Sequence, residues 1–266
     1  MLSKAPRGTK DITPKDVYKW HYVEKKFREI CALYGYEEIR TPIFEHTEVF
    51  ARSVGDTTDV VQKEMYSFTD RGDRQLSLKP EGTAGVIRSF IENKMYADTQ
   101  PTKLYYITPC FRYERPQAGR QRQFHQFGIE VLGSDGPSVD AEVISLAVQF
   151  FNEMGLKNLS VNINSVGCPT CREEYNRKLK EYLDKKVDVL CETCLERKDK
   201  NPMRVIDCKN PHCKENLQDI PFMIDHLCED CKDHFDKLQT YLKEMDINFV
   251  VDKTIVRGLD YYKKTA

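Results

Sequence analysis

The sequence predicts an α+β fold, a mainly antiparallel sheet with helices packed on it. Strand-like runs flank Arg71-Gly72-Asp73 as in a hairpin, and two longer runs flank a polar loop over residues 115–122. Segments with helical periodicity accompany these runs. At 266 residues the chain can bury a sizeable core, in one large domain or in a main domain with a smaller one.

The first predicted element is a helix over residues 14–34. Thr13 followed by Pro14 is typical of an N-cap and a first helical position, and apolar residues recur near helical spacing until Gly35. A strand is predicted over 36–44, where Pro42 indicates a sheet edge or the end of pairing.

The later elements are predicted from the same two patterns, helical spacing and strand alternation, of their apolar residues. They are the hairpin of 63–70 with 74–80, a helix over 81–95, strands over 103–114 and 123–133, a helix over 137–155 and a strand over 159–167.

The composition shifts toward Cys, Lys, Asp and Glu between Cys168 and Cys231, and the strand pattern lapses until 248–262. This change predicts a small domain inserted into a larger one. We expect a core over 1–167, a Cys-rich insertion over 168–231 and a return to the core over 232–266.

The overall charge excludes a uniformly basic nucleic-acid coat. Lys plus Arg is 41 and Asp plus Glu is 42, a net charge of -1, so a local patch must meet any anionic partner. No apolar run has the length of a signal peptide core or of a membrane span. We therefore expect a cytoplasmic protein with no membrane partner and with mostly reduced thiols.

Residues two apart in a strand point to the same side, so the two long predicted strands each have a polar face. Arg112 shares a face with Glu114 on the first strand. On the second strand one face carries Gln126, Gly128 and Glu130. The apolar residues that alternate with them take the other face.

If the two strands pair, their polar faces form one floor, and Gly128 leaves room for a ligand. Four arginines lie in this region, namely Arg112, Arg115, Arg120 and Arg122. Guanidinium and carboxylate groups in such a floor suit a zwitterion together with a phosphate. The alternative is a solvated hairpin face that carries surface salt bridges.

Several motifs in this order resemble those of known enzymes. FRYERPQAGRQRQF (111–124) resembles the second motif of class II aminoacyl-tRNA synthetases, an Arg-x-Glu, a loop and then Arg-x-x-x-Phe. Pro42 in YEEIRTPIFE resembles their first, dimer-forming motif. The motifs similar to those of the histidyl-tRNA synthetase family are RGTKDI (7–12), KPEGTAG (79–85), HQFGIEVLG (125–133) and RGLDYY (257–262).

The resemblance implies a class II synthetase-like antiparallel sheet flanked by helices, and the activity of a histidine–tRNA ligase. Such an enzyme activates L-histidine with ATP and Mg²⁺ to histidyl-adenylate, then transfers the histidine to the 3′ end of tRNA(His). The family implies a homodimer. The sequence ends at YYKKTA, with Lys263 where Thr is usual, whereas family members continue into a third motif and an anticodon-binding domain. We therefore expect an N-terminal catalytic fragment that is incomplete for full activity.

The resemblance also implies roles for individual residues. Arg112 and Arg257 would be catalytic, since both would neutralise charge at the α-phosphate and the histidine carboxylate. ATP would meet Arg112, Glu114 at the adenine edge, Phe124 on the adenine ring and Arg120 at the terminal phosphate. The tRNA acceptor end would meet Arg115 and Gln117.

The implied histidine site surrounds the whole amino acid. Glu130 and Tyr262 would meet the two imidazole nitrogens, so an amino acid without them would leave buried polar groups unpaired and be rejected by roughly 10⁴-fold. Glu81, Thr83 and Gln126 would hold the ammonium group. The full implied set is Glu81, Gly82, Thr83, Arg112, Gln126, Glu130, Arg257, Tyr261 and Tyr262.

Simpler interpretations stay open for two of these residues. Glu81 can be an ordinary first-turn glutamate stabilised by the helix dipole, and Phe124 can be a core aromatic residue. His125 lies on the opposite strand face from Gln126 and Glu130, so we expect no catalytic role for it.

Eight of the ten cysteines lie between Cys168 and Cys231. Reduced cysteines that cluster indicate metal ligation, and a small charged insertion would gain stability from structural zinc. The pairs in chain order are Cys168 and Cys171, Cys191 and Cys194, Cys208 and Cys213, and Cys228 and Cys231. The first two pairs have the spacing of one four-cysteine zinc site and the last two form a second set, although spacing does not determine which pairs combine. Free thiols are the alternative, as we expect for Cys31 and Cys110.

Two other functions compete with the ligase. A non-catalytic, synthetase-like regulatory subunit of histidine biosynthesis would share the fold, but it need not retain Glu81, Arg112, Gln126, Glu130 and Arg257 together. A zinc-ribbon module that binds nucleic acid would explain the cysteines but not the strand motifs.

Overall fold

The computed structural model describes residues 4–55, 58, 60–257 and 262–266. The chain divides into two compact units, one of residues 1–135 with 146–157 and one of residues 136–145 with 158–266. None of the helices in the described part of the chain has both the length and the apolar character needed to cross a bilayer.

The first unit contains two small sheets with helices around them. Its elements are α1 (Val17–Leu33), β1 (Glu37–Glu38), β2 (Phe44–His46), α2 (Thr47–Val54), β3 (Ser67–Thr69), β4 (Gln75–Leu78), α3 (Thr83–Glu92), β5 (Thr102–Phe111) and β6 (Gln123–Leu132). Helix α4 (Pro137–Glu153) begins in the second unit and ends in the first.

The second unit is richer in helices. Its remaining elements are β7 (Val161–Ile163), β8 (Ser165–Gly167), α5 (Pro169–Asp184), α6 (Glu192–Lys200), α7 (Pro211–Asn216), α8 (Glu229–Glu244), β9 (Phe249–Val251) and β10 (Lys264–Thr265).

Most of the strand pairs are antiparallel, which confirms the predicted α+β class. Strands β5 and β6 pair along their whole length, from Thr102 opposite Leu132 to Phe111 opposite Gln123. β2, β4 and β3 form an antiparallel sheet, and β8 pairs antiparallel with β10. Two short pairs, β1 with β5 and β7 with β9, are parallel.

The apolar face of the β5–β6 pair packs on an aromatic core. The Phe27 ring of α1 lies 5.8 Å from the Tyr105 ring, 5.0 Å from the Phe127 ring and 5.5 Å from the Phe150 ring. Ile129 and the other alternate apolar residues of β6 join this core. The predicted division of β6 into a polar and an apolar face is therefore confirmed.

The predicted hairpin is also confirmed. Its turn is closed by the Asp70 carboxylate, whose Oδ1 accepts hydrogen bonds from the backbone N–H groups of Gly72 at 2.8 Å and Arg74 at 3.0 Å. Asp73 adopts a left-handed conformation with φ of +57°, which aspartate tolerates better than most residues.

Several predicted boundaries were wrong, among them those of the helix predicted over 81–95, which spans Thr83–Glu92. Helix α1 begins at Val17 instead of residue 14, because Pro14 and the next two residues form a turn in which Thr13 O accepts the N–H groups of Asp16 and Val17. The strand predicted over 36–44 pairs only at its two ends, since Pro42 lacks an N–H group and restricts the residue before it. The strand predicted over 103–114 ends at Phe111.

The strand predicted over 159–167 is two strands that break at Asn164. The Asn164 side chain donates to the carbonyl oxygens of Lys253 at 3.3 Å and Ile255 at 2.9 Å. Its backbone pairs with Ala266 in both directions at 2.8 Å. A buried asparagine with these partners redirects the chain, which the apolar alternation alone does not reveal.

The second unit has a core of its own, built mainly by α5 and its neighbours. Tyr175, Leu179 and Leu183 recur every four residues along one face of α5 and are fully buried. The Tyr175 hydroxyl donates to Pro221 O at 2.8 Å. Residues 168–231 lie in one compact unit together with 158–167 and 232–266, and the three-segment domain division stays a prediction.

The aromatic core predicts a large stability difference between two positions of α1. Phe27→Ala removes a ring that is 5% exposed, so we expect the free energy of unfolding of the first unit to fall by about 3 to 5 kcal/mol. Leu33→Ala, at a side chain that is 73% exposed, should change it by less than about 0.5 kcal/mol. Urea denaturation followed by near-ultraviolet circular dichroism measures both, and equal effects would contradict the proposed core.

Candidate functional site

The polar face of the β5–β6 pair brings several of the predicted residues together. In the observed register Thr108 lies opposite Gln126, and Tyr106 lies opposite Gly128. The Cys110 thiol donates a hydrogen bond to Gln126 Oε1 at 3.3 Å. This pairing fixes the Gln126 side chain on the face that the sequence assigned to it.

The Tyr106 ring lies tightly between two glycines. A Cβ atom at Gly82 would be 2.3 Å from the ring, and one at Gly128 would be 2.1 Å from it. Real side chains do not approach this closely, so both positions require glycine. The prediction that Gly128 leaves room for a ligand was wrong, because Tyr106 fills that space.

The Glu130 carboxylate lies half-buried beside Tyr106. Its Oε1 accepts hydrogen bonds from Thr83 Oγ1 at 2.7 Å and from the Tyr106 hydroxyl at 3.4 Å. Burial above all, together with the charge of Glu81, raises the pKa of Glu130 to about 7, against the hydrogen bonds from Thr83 and Tyr106, which lower it. A cationic or hydrogen-bond-donating ligand next to this carboxylate would therefore stabilise its ionised form.

Glu81 caps helix α3. Its Oε2 accepts the Thr83 N–H at 2.7 Å, and its Oε1 accepts the Ala84 N–H at 2.8 Å. These contacts agree with the simpler interpretation in that the carboxylate meets N–H groups at the helix start, although Glu81 lies two residues before α3 and not in its first turn. They also hold the buried carboxylate rigidly, and each oxygen keeps a second lone pair for another donor.

Arg112 lies just beyond the end of β5. Its Nε donates to Pro80 O at 2.9 Å, and its guanidinium carbon is 5.3 Å from the centre of the Phe124 ring. Its Nη1 is 3.9 Å from Glu114 Oε1. Phe124 thus supports a guanidinium group and is not merely a core aromatic residue.

The loop after Arg112 is ordered by its own polar groups. Arg120 donates to Glu114 Oε2 at 2.9 Å, and the backbones of Gln117 and Arg120 bond to each other in both directions. Gly119 permits this tight turn with φ of +78°. Arg115 lies exposed on the same loop.

The last arginine of the loop packs on the N-terminal segment. The Arg122 guanidinium carbon lies 4.0 Å from the centre of the Tyr113 ring, and its backbone N–H donates to Gly8 O at 2.7 Å. A Cβ atom at Gly8 would be 2.7 Å from Arg122 Cγ. The RGTKDI motif therefore has a physical role, namely to hold the end of the arginine-rich loop.

Two residues of the implied histidine site, Arg257 and Tyr262, are described in the second unit. The Arg257 guanidinium carbon lies 3.9 Å from the centre of the Tyr262 ring. Tyr261 lies outside the described residues, as does the rest of 258–261.

The eight clustered cysteines form two groups of four, but not in chain order. The structure joins the first pair of cysteines to the last pair, and the second pair to the third. The groups are Cys168, Cys171, Cys228 and Cys231, and Cys191, Cys194, Cys208 and Cys213. The observed grouping differs from the grouping in chain order because cysteines far apart in the sequence come together in the fold.

The comparisons with known proteins agree with the motifs. A histidyl-tRNA synthetase family model matches residues 8–265. The chain belongs to the histidyl-tRNA synthetase family.

Individual relatives support this assignment. The chain is 80% identical over its whole length to a histidine–tRNA ligase of Clostridioides difficile and 59% identical to one of Clostridium perfringens, and it spans 63% and 64% of those two proteins. The structure of an apo histidyl-tRNA synthetase from S. aureus has a TM-score of 0.78 and 42% identity, and the match covers 99% of this chain and 60% of that one. The expected class II synthetase fold is thereby confirmed.

Sequence reasoning within the family missed some residues that shape the site. No role was predicted for Tyr106, and Cys110 was expected only to be a free thiol, although they contact Glu130 and Gln126 respectively. A signal for Tyr106 was present, since Gly82 and Gly128 are both small residues in motifs predicted to lie together. Without coordinates, that signal does not identify which ring fills the space between them.

The raised pKa of Glu130 predicts a pH dependence of stability. The folded state keeps the proton up to about pH 7, whereas the unfolded carboxyl loses it near 4.5, so the folded state binds more protons between these values. The free energy of unfolding should therefore fall by about 3 kcal/mol from pH 4.5 to pH 7 through this group. Urea denaturation at several pH values should show this fall in the wild type and not in Glu130→Gln. Identical pH profiles would contradict the burial of this carboxylate.

Proposed function

We propose that this chain is part of a histidine–tRNA ligase, which activates L-histidine with ATP and transfers it to tRNA(His). The observation that carries the proposal is the cluster of Glu130, Thr83 and Glu81 beside Gln126 on the β5–β6 face. Because the chain spans about 63% of its curated relatives, the activity is proposed for the protein to which the sequence belongs.

Histidine recognition rests on polar groups that can accept further hydrogen bonds. Glu130 accepts a hydrogen bond from an N–H group of the imidazole ring. This bond stabilises the ionised carboxylate and so offsets the loss of hydration that raises its pKa. Glu81, Thr83 and Gln126 offer oxygen atoms to the ammonium group. Gly82 contributes by admitting the Tyr106 ring behind Glu130. The roles of Arg257, Tyr261 and Tyr262 in histidine binding stay proposals based on the family resemblance.

ATP binding is proposed at the arginine side of the same face. Arg112, fixed by Pro80 O and Phe124, supplies positive charge for the α-phosphate and is the proposed catalytic residue in this unit. Glu114 and Arg120 are paired with each other at 2.9 Å. A nucleotide would exchange this ion pair for a phosphate on Arg120 and an adenine amino group on Glu114, with the ring on Phe124. Mg²⁺ would accompany the phosphates.

The exposed tip of the loop is proposed to meet the tRNA acceptor end. Arg115 and Gln117 lie exposed there, and the chain as a whole has a net charge of -1. Because the charges of the chain nearly balance, we expect it to contact the phosphates of a nucleic acid through a local cationic group such as this tip. We place the protein in the cytoplasm, and we assign structural zinc to its clustered cysteines.

The proposal is tested by pyrophosphate exchange that depends on both L-histidine and ATP. We expect exchange by the full-length wild-type protein and at least a tenfold lower kcat/KM for histidine in full-length Glu130→Gln, which keeps the shape of the side chain but loses its charge. Glu38→Gln, the same substitution in strand β1 of the same sheet, is the matched control and should exchange normally.

Two results would count against the proposal. Absence of exchange by the folded wild-type protein would favour the regulatory-subunit alternative. Equal histidine affinity of wild type and Glu130→Gln in calorimetry would refute the assigned ligand of Glu130 even if exchange occurs.

A homodimer is the proposed assembly, formed through the region of the first motif. Phe44, which follows Pro42 and Ile43, is 52% exposed, and its ring packs 6.5 Å from that of Phe68. We expect light scattering at about 20 µM to give twice the chain mass, in the range where moderate dimers form. Phe44→Asp should shift the mass toward the monomer, whereas Ile91→Asp, at a side chain that is 60% exposed, should not. A monomeric mass for the wild type and for both variants would contradict the proposed homodimer.

A further inference from the structure

The two cysteine groups have the geometry of sites for single metal ions. Within each group the four sulfur atoms all lie within 4.8 Å of one another. Cys168 Sγ is 3.5 Å from Cys171 Sγ and 4.0 Å from Cys228 Sγ, and Cys191 Sγ is 3.8 Å from Cys208 Sγ.

These separations match one tetrahedral ion per group. Four sulfurs at about 2.3 Å from a central zinc lie about 3.8 Å from one another. A disulfide would bring two sulfurs to about 2.05 Å, far closer than the observed pairs. In an iron–sulfur cluster the four cysteines are distributed over two or more iron atoms, so they do not all stand as close together as four ligands of a single ion.

The helices of the second unit place these sulfurs. Cys168 is the N-cap residue of α5 and Cys171 lies in the first turn of that helix, while Cys228 and Cys231 hold the same two positions in α8. In the other group, Cys191 is the N-cap residue of α6. Each Cys-x-x-Cys pair therefore gains its two-ligand geometry from the start of a helix, where sulfurs three residues apart face the same side.

The same local structure stabilises negative charge. Four thiolates and one Zn²⁺ carry a net charge of about -2, which the N-terminal ends of α5 and α8 favour in one group. Backbone N–H groups also point at the sulfurs. Cys228 N donates to Cys171 Sγ at 3.1 Å, and in the second group Cys191 N donates to Cys213 Sγ at 3.2 Å.

We propose that the second unit binds two zinc ions in separate tetrathiolate sites, with Cys168, Cys171, Cys228 and Cys231 in one and Cys191, Cys194, Cys208 and Cys213 in the other. The inference deepens the structural-zinc part of the proposed function and does not depend on ligase activity. A metal analysis and a pyrophosphate exchange assay can therefore fail independently.

The first site ties together the two ends of the predicted insertion. Its ligands are separated by the 56 residues between Cys171 and Cys228, so an ion there closes a long loop. Gly167, directly before the first ligand, has φ of +63°, and a Cβ there would be 2.9 Å from Cys171 Cβ. The second site lies wholly within that loop and holds α6 to the following segment.

The test begins with elemental analysis of the untagged chain, purified without added metal or chelator. We expect about two zinc ions per chain and, by X-ray absorption, four sulfur neighbours at about 2.3 Å around the average zinc. Less than about 0.2 zinc per chain, or disulfides found by mass spectrometry under anaerobic purification, would overturn the proposal. These measurements need no variant, so poor folding of a mutant does not affect them.

Paired substitutions then test the grouping. Cys171→Ser with Cys231→Ser removes two ligands from one proposed site, so one zinc ion per chain should remain after dialysis against a chelator that leaves the parent chain loaded. Cys171→Ser with Cys194→Ser removes one ligand from each site, so both ions should be lost under the same dialysis. The chain-order grouping gives the opposite pattern.

Cys31→Ala is the matched control, because Cys31 is a buried cysteine of α1 in the other unit. It should retain two zinc ions per chain. Loss of zinc in this control, or the opposite pattern in the two double variants, would refute the proposed partition.

Discussion

The pairing of β5 with β6 over ten residues determines where the candidate site lies, because one register fixes both faces of the pair. On one face Tyr105 and Phe127 join the aromatic core around Phe27. On the other, Tyr106 and Gln126 take part in the polar cluster. A shift of the register by a single residue would exchange the two faces, placing charged groups in the core and aromatic rings in the site. The stability of the core thus protects the geometry of the site.

Tyr106 couples backbone packing to the chemistry of Glu130. The ring fits only because Gly82 and Gly128 lack side chains, and this fit places the hydroxyl 3.4 Å from the Glu130 carboxylate. Burial disfavours the charge of Glu130, while the hydrogen bonds from Tyr106 and Thr83 favour it. Burial is the larger effect, so the pKa of the carboxyl group stays raised. A hydrogen bond from a bound imidazole N–H would stabilise the ionised form.

Much of this arrangement was predictable from the sequence. Alternation along residues 123–133 predicted which side chains share a face, and turn chemistry predicted the hairpin at Gly72, because both depend on neighbours in the chain. The role of Tyr106 was not predictable, since it depends on the approach of three segments. Glu81 shows a different limit. Its helix-capping contacts and its proposed substrate contact use the same carboxylate, so a sequence motif cannot separate the two roles.

The cysteines show the same distinction between local and non-local information. Each Cys-x-x-Cys pair is a local motif at the start of a helix, and the sequence identified all the pairs correctly. Their combination depends on which segments meet in the fold, which spacing does not encode. The core of this unit also depends on the cysteines, since Cys194, Cys213 and Cys231 are buried among its apolar side chains.

The arginine-rich segment illustrates how a nearly neutral chain can present cationic groups without leaving them unpaired. Arg122 is held by Tyr113 and a backbone carbonyl, and Arg112 by Phe124 and another carbonyl, with the Glu114 carboxylate farther away at 3.9 Å from Arg112 Nη1. Arg120 forms the shorter ion pair with Glu114, at 2.9 Å. Carbonyl and ring contacts orient a guanidinium while leaving its net positive charge to act on an approaching anion. An equal number of carboxylate partners would have oriented these groups as well, but would have cancelled the local charge that anion binding requires.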